Sequence, residues 1–353
     1  MMNKKRVLLA MSGGINSSVS ATLLKQQGYE VVGITARLWR VNTTLQQGIC
    51  CNNEAISEAC SLAMNLKIDH EVMDFTGLFK DIDLRNFIDE YLYNRTPDPC
   101  LLCSLNLKWK VLIKNAEELQ CDYIATGHYA TIKQENGRYF ISKGKDLIED
   151  QSYALWGLSQ EHLAKTIFPL GNYTKDEIHQ KAMNAGLEHL IQKQDNDDIC
   201  FFSRNDDRWF LQKHAPYLEK GFLPERFAGK QEGFPFYSPK QKKRFLFSFG
   251  FPKRASKTDT KTKRTLWGKK KDLLLDTIII RDYNLSKYQS IPDEFIGEVK
   301  TQHNENGQQA LIKQYDNYIL IQFETPIAVA TLGRAAVIYK NNDMIGGGII
   351  DVL

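Results

Sequence analysis

Cys100 and Cys103 stand three residues apart in TPDPCLLCSLNLKWK, behind two stiffening prolines, Pro97 and Pro99. A C-x-x-C pair suits a redox dithiol or half of a metal site. The stretch runs into a helical pattern, so Cys103 is expected near a helix start, where the thiolate is favoured. Cys200 lies in DNDDICFF, an apolar patch in which a lone cysteine ordinarily serves packing. The chain has seven cysteines, at 50, 51, 60, 100, 103, 121 and 200. An odd number in a chain this long argues for thiols, metal or redox chemistry rather than a disulfide scaffold.

A second set of residues suits anion binding. In AMSGGINSSVSA, Gly13 and Gly14 let the backbone approach a ligand closely. Ser12, Ser17 and Ser18 offer hydroxyls, and the helix opening here points free N–H groups at the site. The spacing fits neither the P-loop nor the G-x-G-x-x-G pattern. Where a carboxylate would share a metal with the anion, the chain has Asn16.

The elements that must hold these groups follow from periodicity. RVLLAM, YEVVGITARLW, DHEVMDF and CDYIATGHYA are apolar strands, separated by helical patterns over 17–28, 54–66, 79–93 and beyond Cys103. This alternation predicts a parallel sheet covered on both faces, with ligands beyond the strands' carboxyl ends. Ser12–Ser18, Ala36–Trp39 and Thr126–Tyr129 would lie there. Residues 150–195 read as helices with polar loops. From 276 onward, short alternating strands predict a small β-barrel.

The 353 residues suffice for two or three domains, and 42% hydrophobic with 25% charged is an ordinary globular composition. No apolar run is long enough for a membrane span, and the N-terminal run is too short for a signal peptide, so a cytoplasmic protein is expected. The whole chain carries +4, but residues 240–271 hold thirteen Lys or Arg against the single acid Asp259. Interleaved with Phe245, Phe247, Phe249, Phe251 and Trp267, this segment suits either a nucleic-acid surface or a solvated loop.

SGGINSSVSA, GICC, RTPDPCLLCSLNLKW, DYIATGHYA, DQSYALW, DICFF and GGGII occur in the order and spacing of the tRNA-specific 2-thiouridylases, which the chain resembles nearly end to end. The resemblance implies an adenine-nucleotide α-hydrolase-like (PP-loop) α/β domain over 1–204, a central RNA-binding domain over 205–275 and a β-barrel over 276–353. It implies that ATP, with Mg2+, adenylates the C2 oxygen of a tRNA wobble uridine, and that a cysteine persulfide then delivers sulfur. A sulfur-relay protein or cysteine desulfurase would be the donor. Cys200 matches the persulfide carrier and Cys103 the nucleophile, which can form a disulfide with Cys200. Ala10, Met11, Ser12, Gly13, Gly14, Ile15, Asn16 and Ser17 match the pyrophosphate loop, and Ala36 and Gly127 further nucleotide contacts. Asp98, Pro99 and Cys100 match the segment that meets the target base. His128, Glu149, Asp150, Gln151, Gln302, His303 and Arg334 occupy RNA-contact positions.

The chain departs from the family pattern at several of these positions. Asn16 replaces Asp, Ala36 replaces Met, Ser104 replaces Asn, and Glu149 replaces Lys. Gln302-His303 stands for Arg-Tyr, and Arg334 for Gln. The cysteine pair is kept while RNA-contact positions are rewritten, which suits a divergent member with altered RNA choice. Two alternatives remain open: a non-catalytic RNA or sulfur-relay binding paralogue, and an iron–sulfur thiolase in which Cys100, Cys103 and Cys200 hold a [4Fe-4S] cluster.

Overall fold

The computed structural model describes residues 4–38, 53–79, 81, 85–92, 95, 98, 101, 103, 107–192, 254–259, 264–268, 274–303, 305–328 and 331–351. Pro99, Cys100, Cys200 and most of the basic segment lie outside these residues.

Strands β1 (Arg6–Ala10), β2 (Glu30–Arg37), β3 (Asp69–Asp74), β4 (Tyr123–Ala125), β5 (Ala130–Glu135), β6 (Arg138–Lys143) and β7 (Thr166–Ile167) come first in the chain. Five of them form an all-parallel sheet in the order β3-β2-β1-β4-β7. The chain builds outward from β1 to β3, then restarts on the other side with β4. That reversal leaves a crevice beyond the carboxyl ends of β1 and β4, the place where open α/β sheets bind ligands.

β1 is buried on both faces, and its side chains alternate between two cores. Val7 and Leu9 join Val19, Leu23 and Leu24 of the helix Ile15–Gln26 and Ile178 of the helix Lys175–Asn184. Leu8 joins Ile124, and Trp109 and Leu112 of the helix Trp109–Glu118. The first helix stops at Gln27, and Gly28 follows at φ +89° as a left-handed terminator.

Toward the C-terminus come β8 (Arg254–Asp259), β9 (Arg264–Gly268), β10 (Leu274–Leu285), β11 (Phe295–Lys300), β12 (Gln308–Gln314), β13 (Ile319–Ala328), β14 (Ala335–Lys340) and β15 (Asp343–Asp351). β8 and β9 pair as a separate antiparallel hairpin. The last six strands run β10-β13-β12-β11-β14-β15, and β15 pairs back onto β10, closing an antiparallel barrel without free edges. Ile280, Ile312, Ile321, Ile338 and Ile345 fill its interior.

The stretch CDYIATGHYA is not one strand. β4 ends at Ala125, and Ala130 opens the β5–β6 hairpin, turned at Asn136–Gly137, where both φ values are positive. That hairpin joins the barrel's sheet, β6 pairing with β15 through Ser142 and Asp343. The barrel is correspondingly fused to the first domain. Ala335, Val337, Tyr339 and Met344 share the core of Leu8, Trp109 and Ile124. Asn284 donates to the carbonyls of Trp156 and Leu158 at 2.8 and 3.0 Å. Among the described residues, no helix is long and apolar enough to cross a membrane.

Candidate active site

The loop leaving β1 is shaped by backbone contacts. Gly13 has φ +75°, and a Cβ there would sit 2.2 Å from the carbonyl oxygen of Ala55, in the first turn of the helix Asn53–Leu66. Only glycine allows both the dihedral and the approach. Gly14 is the N-cap of the helix Ile15–Gln26 and supplies no side-chain cap, and the first turn holds no acid. The helix N-terminus thus keeps its partial positive charge and its unpaired N–H groups. Ser17 Oγ accepts from the Ser12 amide at 3.2 Å and donates to the Gly14 carbonyl at 3.1 Å, closing the loop. Ile15, buried at 6% exposure, anchors it below. Thr35 of β2 donates to the Met11 carbonyl at 2.8 Å.

Beyond the loop, a cavity of about 280 Å3 opens at the switch point between β1 and β4. Ala10, Met11, Ser12, Asn16 and Ser17 form one end, and Ala36, Thr126, Gly127, His128 and Gln151 continue the wall. Gly127 is a second close approach: a Cβ there would sit 2.9 Å from the Asn16 backbone carbon. Ile34, Phe75, Leu107, Trp109 and Leu112 make the remainder apolar, and Lys108 adds a cation. An apolar slot running to a ring of amides and hydroxyls suits an aromatic base carrying an anionic tail. Lys108, Trp109 and Phe75 are absent from the sequence-derived set. The motif NLKWK held two of them, but nothing local shows that its helix faces the crevice.

The described residues lining the cavity include no carboxylate. Asn16 Oδ1 accepts from the Tyr129 hydroxyl at 3.2 Å. The expected Mg2+ therefore lacks an acidic protein ligand in the described wall, whereas the donor groups fit a nucleotide. No group of three His, Cys, Asp or Glu among the described residues is placed to hold a metal. The cluster expectation rests on Cys100 and Cys200, which lie outside them.

His128, expected to contact RNA, lines this same cavity. Its ring lies 5.7 Å from that of Trp109 and 5.9 Å from that of Phe168, and Nδ1 is 2.7 Å from Thr126 Oγ1. Burial, with the Lys108 charge adding to it, pushes the imidazole pKa down to about 3. The ring is neutral at working pH. Because the folded value lies below the ordinary 6.5, the unfolded chain binds this proton more readily, and stability falls as pH drops from 6.5 toward 3. Between pH 7 and 5, wild-type protein should lose about 2 kcal/mol more unfolding free energy than His128→Gln in urea titrations. Parallel losses in the two proteins would show that His128 titrates as an ordinary histidine.

Other expected contacts serve the fold as well. Asp150 is buried and accepts from Gly144 N, Ser152 N and Ser152 Oγ at 3.1, 3.2 and 2.8 Å. Gln151 accepts from the Tyr129 amide at 3.1 Å. Glu149 is paired with Lys175 at 3.0 Å, which offsets the charge it brings to this surface.

Asp98 accepts from the Leu101 amide at 3.2 Å, capping the turn toward Cys103. Leu101 and Cys103 are helical, and the Cys103 side chain is buried at 4% exposure. Leu101 and Leu107 are buried as well, at 3% and 1% exposure, so the thiol is covered in this conformation. His303 packs against Tyr153, and the charges of Asp98, Glu305 and Arg334 act on it. The Tyr153 ring packs edge-on to His303 at 6.0 Å, and its hydroxyl donates to the Ala335 carbonyl at 2.9 Å. Burial raises the Tyr153 pKa well above its ordinary value; the Asp98 and Glu305 charges add to this and Arg334 opposes it. Arg334 Nε is sealed from solvent without a hydrogen-bond partner among the described residues. Gln302 is tied to Glu305 at 2.5 Å.

A family model described as tRNA methyl transferase HUP domain matches residues 5–204, and one described as aminomethyltransferase beta-barrel domain matches 275–350. The tRNA-specific 2-thiouridylase MnmA of Amoebophilus asiaticus is 39% identical, covering 99% of this chain and 96% of that protein. The proteins of the same name from Cytophaga hutchinsonii and Salinibacter ruber are 37% and 38% identical, covering 99% of this chain and 98% and 95% of theirs. A PP-loop-type parallel sheet, a closed barrel and relationship over nearly the whole length agree: the chain belongs to the tRNA-specific 2-thiouridylase family.

Proposed function

We propose that this protein is an ATP-dependent tRNA-uridine 2-sulfurtransferase. The observation that carries the reading is the crevice at the switch point. An uncapped helix N-terminus and an apolar slot meet there, and the slot's wall helix follows the Cys103 segment directly. ATP would place its base against Trp109 and Phe75 and its phosphates over Ser12–Ser17. The uridine C2 oxygen attacks the α-phosphorus and pyrophosphate leaves. The terminal sulfur of a Cys200 persulfide then bonds to C2, and AMP leaves with the former C2 oxygen. Cys103 takes the Cys200 sulfur as a disulfide, which an external thiol reduces. Cys103 must be uncovered for that exchange.

The three-domain division given above is part of this reading. The basic segment 240–271 would hold tRNA through phosphates, which contribute affinity without sequence choice, so binding should weaken steeply with salt. On this reading the enzyme works in the cytoplasm, with a sulfur-relay protein or desulfurase as donor. Nucleosides from cells with and without the gene should differ by a 2-thiouridine at the wobble position, read by mass spectrometry. Identical nucleoside profiles would refute the assignment.

Asn16 favours a second reading, a retargeted or slow paralogue. With an amide at position 16 and an acid-free described wall, ATP affinity should change by less than about threefold between Mg2+ and EDTA. In Asn16→Asp it should change by more than about tenfold, since a carboxylate adds a hard-cation ligand. Equal metal dependence in the two proteins would show that the side chain at 16 has no part in it.

A further inference from the structure

Tyr129 reaches the nucleotide loop from across the switch point. It follows β4, 113 positions from Asn16 in sequence, yet its hydroxyl donates to Asn16 Oδ1 at 3.2 Å. The ring is a fixed support. Its residue is 1% exposed and shares the core of Val7, Leu9 and Ile15. Its backbone is held on both sides by one glutamine. The Tyr129 amide donates to Gln151 Oε1 at 3.1 Å, and its carbonyl accepts from the Gln151 amide at 3.0 Å. Two residues earlier, Gly127 brings the same stretch against the Asn16 backbone. A tyrosine packed this way has already lost its rotamer freedom on folding, so it places its hydroxyl proton without a further ordering cost when a ligand binds.

Asn16 is the second residue of the helix Ile15–Gln26, and its carbonyl accepts from Ser20 Oγ at 2.8 Å. A carboxamide is planar, with its acceptor and its donor on opposite branches. When Oδ1 turns to Tyr129, Nδ2 turns the other way. Nδ2 has no partner among the described residues, and Asn16 lines the cavity together with Ser12 and Ser17. The helix start adds its own free amides. With the amide turned over, Oδ1 would face phosphate oxygens, acceptor against acceptor with no proton between them.

We infer that Tyr129 is a positioning residue for nucleotide binding: it takes Asn16 Oδ1 and thereby aims Asn16 Nδ2 at an oxygen of the phosphate chain. This rests on reading the cavity as a nucleotide site. Asn16 is then a direct donor to the anion, a role that an aspartate in the same grip could not fill.

The test is calorimetry on the full-length protein in EDTA, with ATP, pyrophosphate and adenosine as separate ligands. Asn16→Ala should weaken ATP and pyrophosphate about 20-fold each, since hydrogen bonds to charged groups are the strong ones. Tyr129→Phe keeps the ring, removes the proton and should weaken both about fivefold. Adenosine affinity should stay within about twofold in both variants, which a general loosening of the pocket would not allow. The double variant should match Asn16→Ala within about twofold, because Tyr129 acts through that amide alone. Should Tyr129→Phe fail to fold, Asn16→Asp decides. Tyr129 would hold one carboxylate oxygen and aim the other at the anion, so pyrophosphate should bind at least about threefold more weakly than to Asn16→Ala. Equal binding to those two variants would overturn the inference. So would unchanged ATP and pyrophosphate affinities in Tyr129→Phe, losses that extend equally to adenosine, or losses that multiply in the double variant; ATP binding by the wild type would then leave the nucleotide reading standing. Wild-type protein that binds pyrophosphate but neither ATP nor adenosine would refute that reading, and the pyrophosphate cycle would still decide the role of Tyr129. Binding of none of the three would overturn both.

Discussion

Gly13→Ala is expected to weaken ATP binding at least about 100-fold, measured by calorimetry, and to lower the unfolding free energy by about 2–4 kcal/mol. Two separate costs meet at this residue. The φ of +75° is one that alanine adopts at a penalty of about 1 kcal/mol. The added methyl would also lie 2.2 Å from the Ala55 carbonyl oxygen and 2.8 Å from its carbon. Those are backbone atoms of a packed helix, so no rotamer change relieves the clash. The loop must lift, and its amides then no longer point to a common anion. Gly14→Ala is the matched control. Its φ is −90°, and the nearest atom to a new Cβ is Ser12 Oγ at 3.6 Å. It should bind ATP within about threefold of wild type and cost no more than about 1 kcal/mol at the N-cap. Similar affinities for Gly13→Ala and wild type would mean that the nucleotide does not use this loop.

Cys103→Ser should cut thiolation by more than about 1000-fold while leaving ATP affinity within about threefold. Exchange of sulfur requires a thiolate to attack a sulfur atom, and a serine hydroxyl ionises far too weakly and forms no S–S bond. The side chain is near-isosteric at a site only 4% exposed, so the unfolding free energy should drop by no more than about 2 kcal/mol. Calorimetry with ATP and a tRNA thiolation assay separate the two effects. A variant keeping a tenth of the wild-type rate would remove Cys103 from the chemistry and leave the nucleotide site standing.

Much of the first domain was legible from local pattern. β1 reads as a buried strand because Val7, Leu8 and Leu9 need both faces covered, and they are wholly buried. The loop Ser12–Ser17 reads as an anion cradle because its glycines and hydroxyls stand between a buried strand and a helix start. Five short alternating stretches near the C-terminus suggest a barrel, although its sixth strand, FIGEVK, goes unread. The β5–β6 hairpin goes unread although Asn136–Gly137 marks its turn, because HYA reads as the tail of β4 rather than the start of a new strand.

What the sequence by itself determined is therefore the set of parts: a nucleotide loop, a thiol segment, a parallel sheet and a barrel. Their relation was decided only by tertiary closure. Thr126, His128 and Gln151 reach the loop because β4 docks beside β1, a pairing across more than a hundred residues. The absence of acids from the described cavity wall follows from which helix faces come inward. The pairing of Arg95 with Asp351 depends on the barrel's placement. Local patterns are written in dihedral preference and side-chain periodicity. These meetings depend on long-range packing, in which a shared core brings together residues whose spacing carries no mark of the contact.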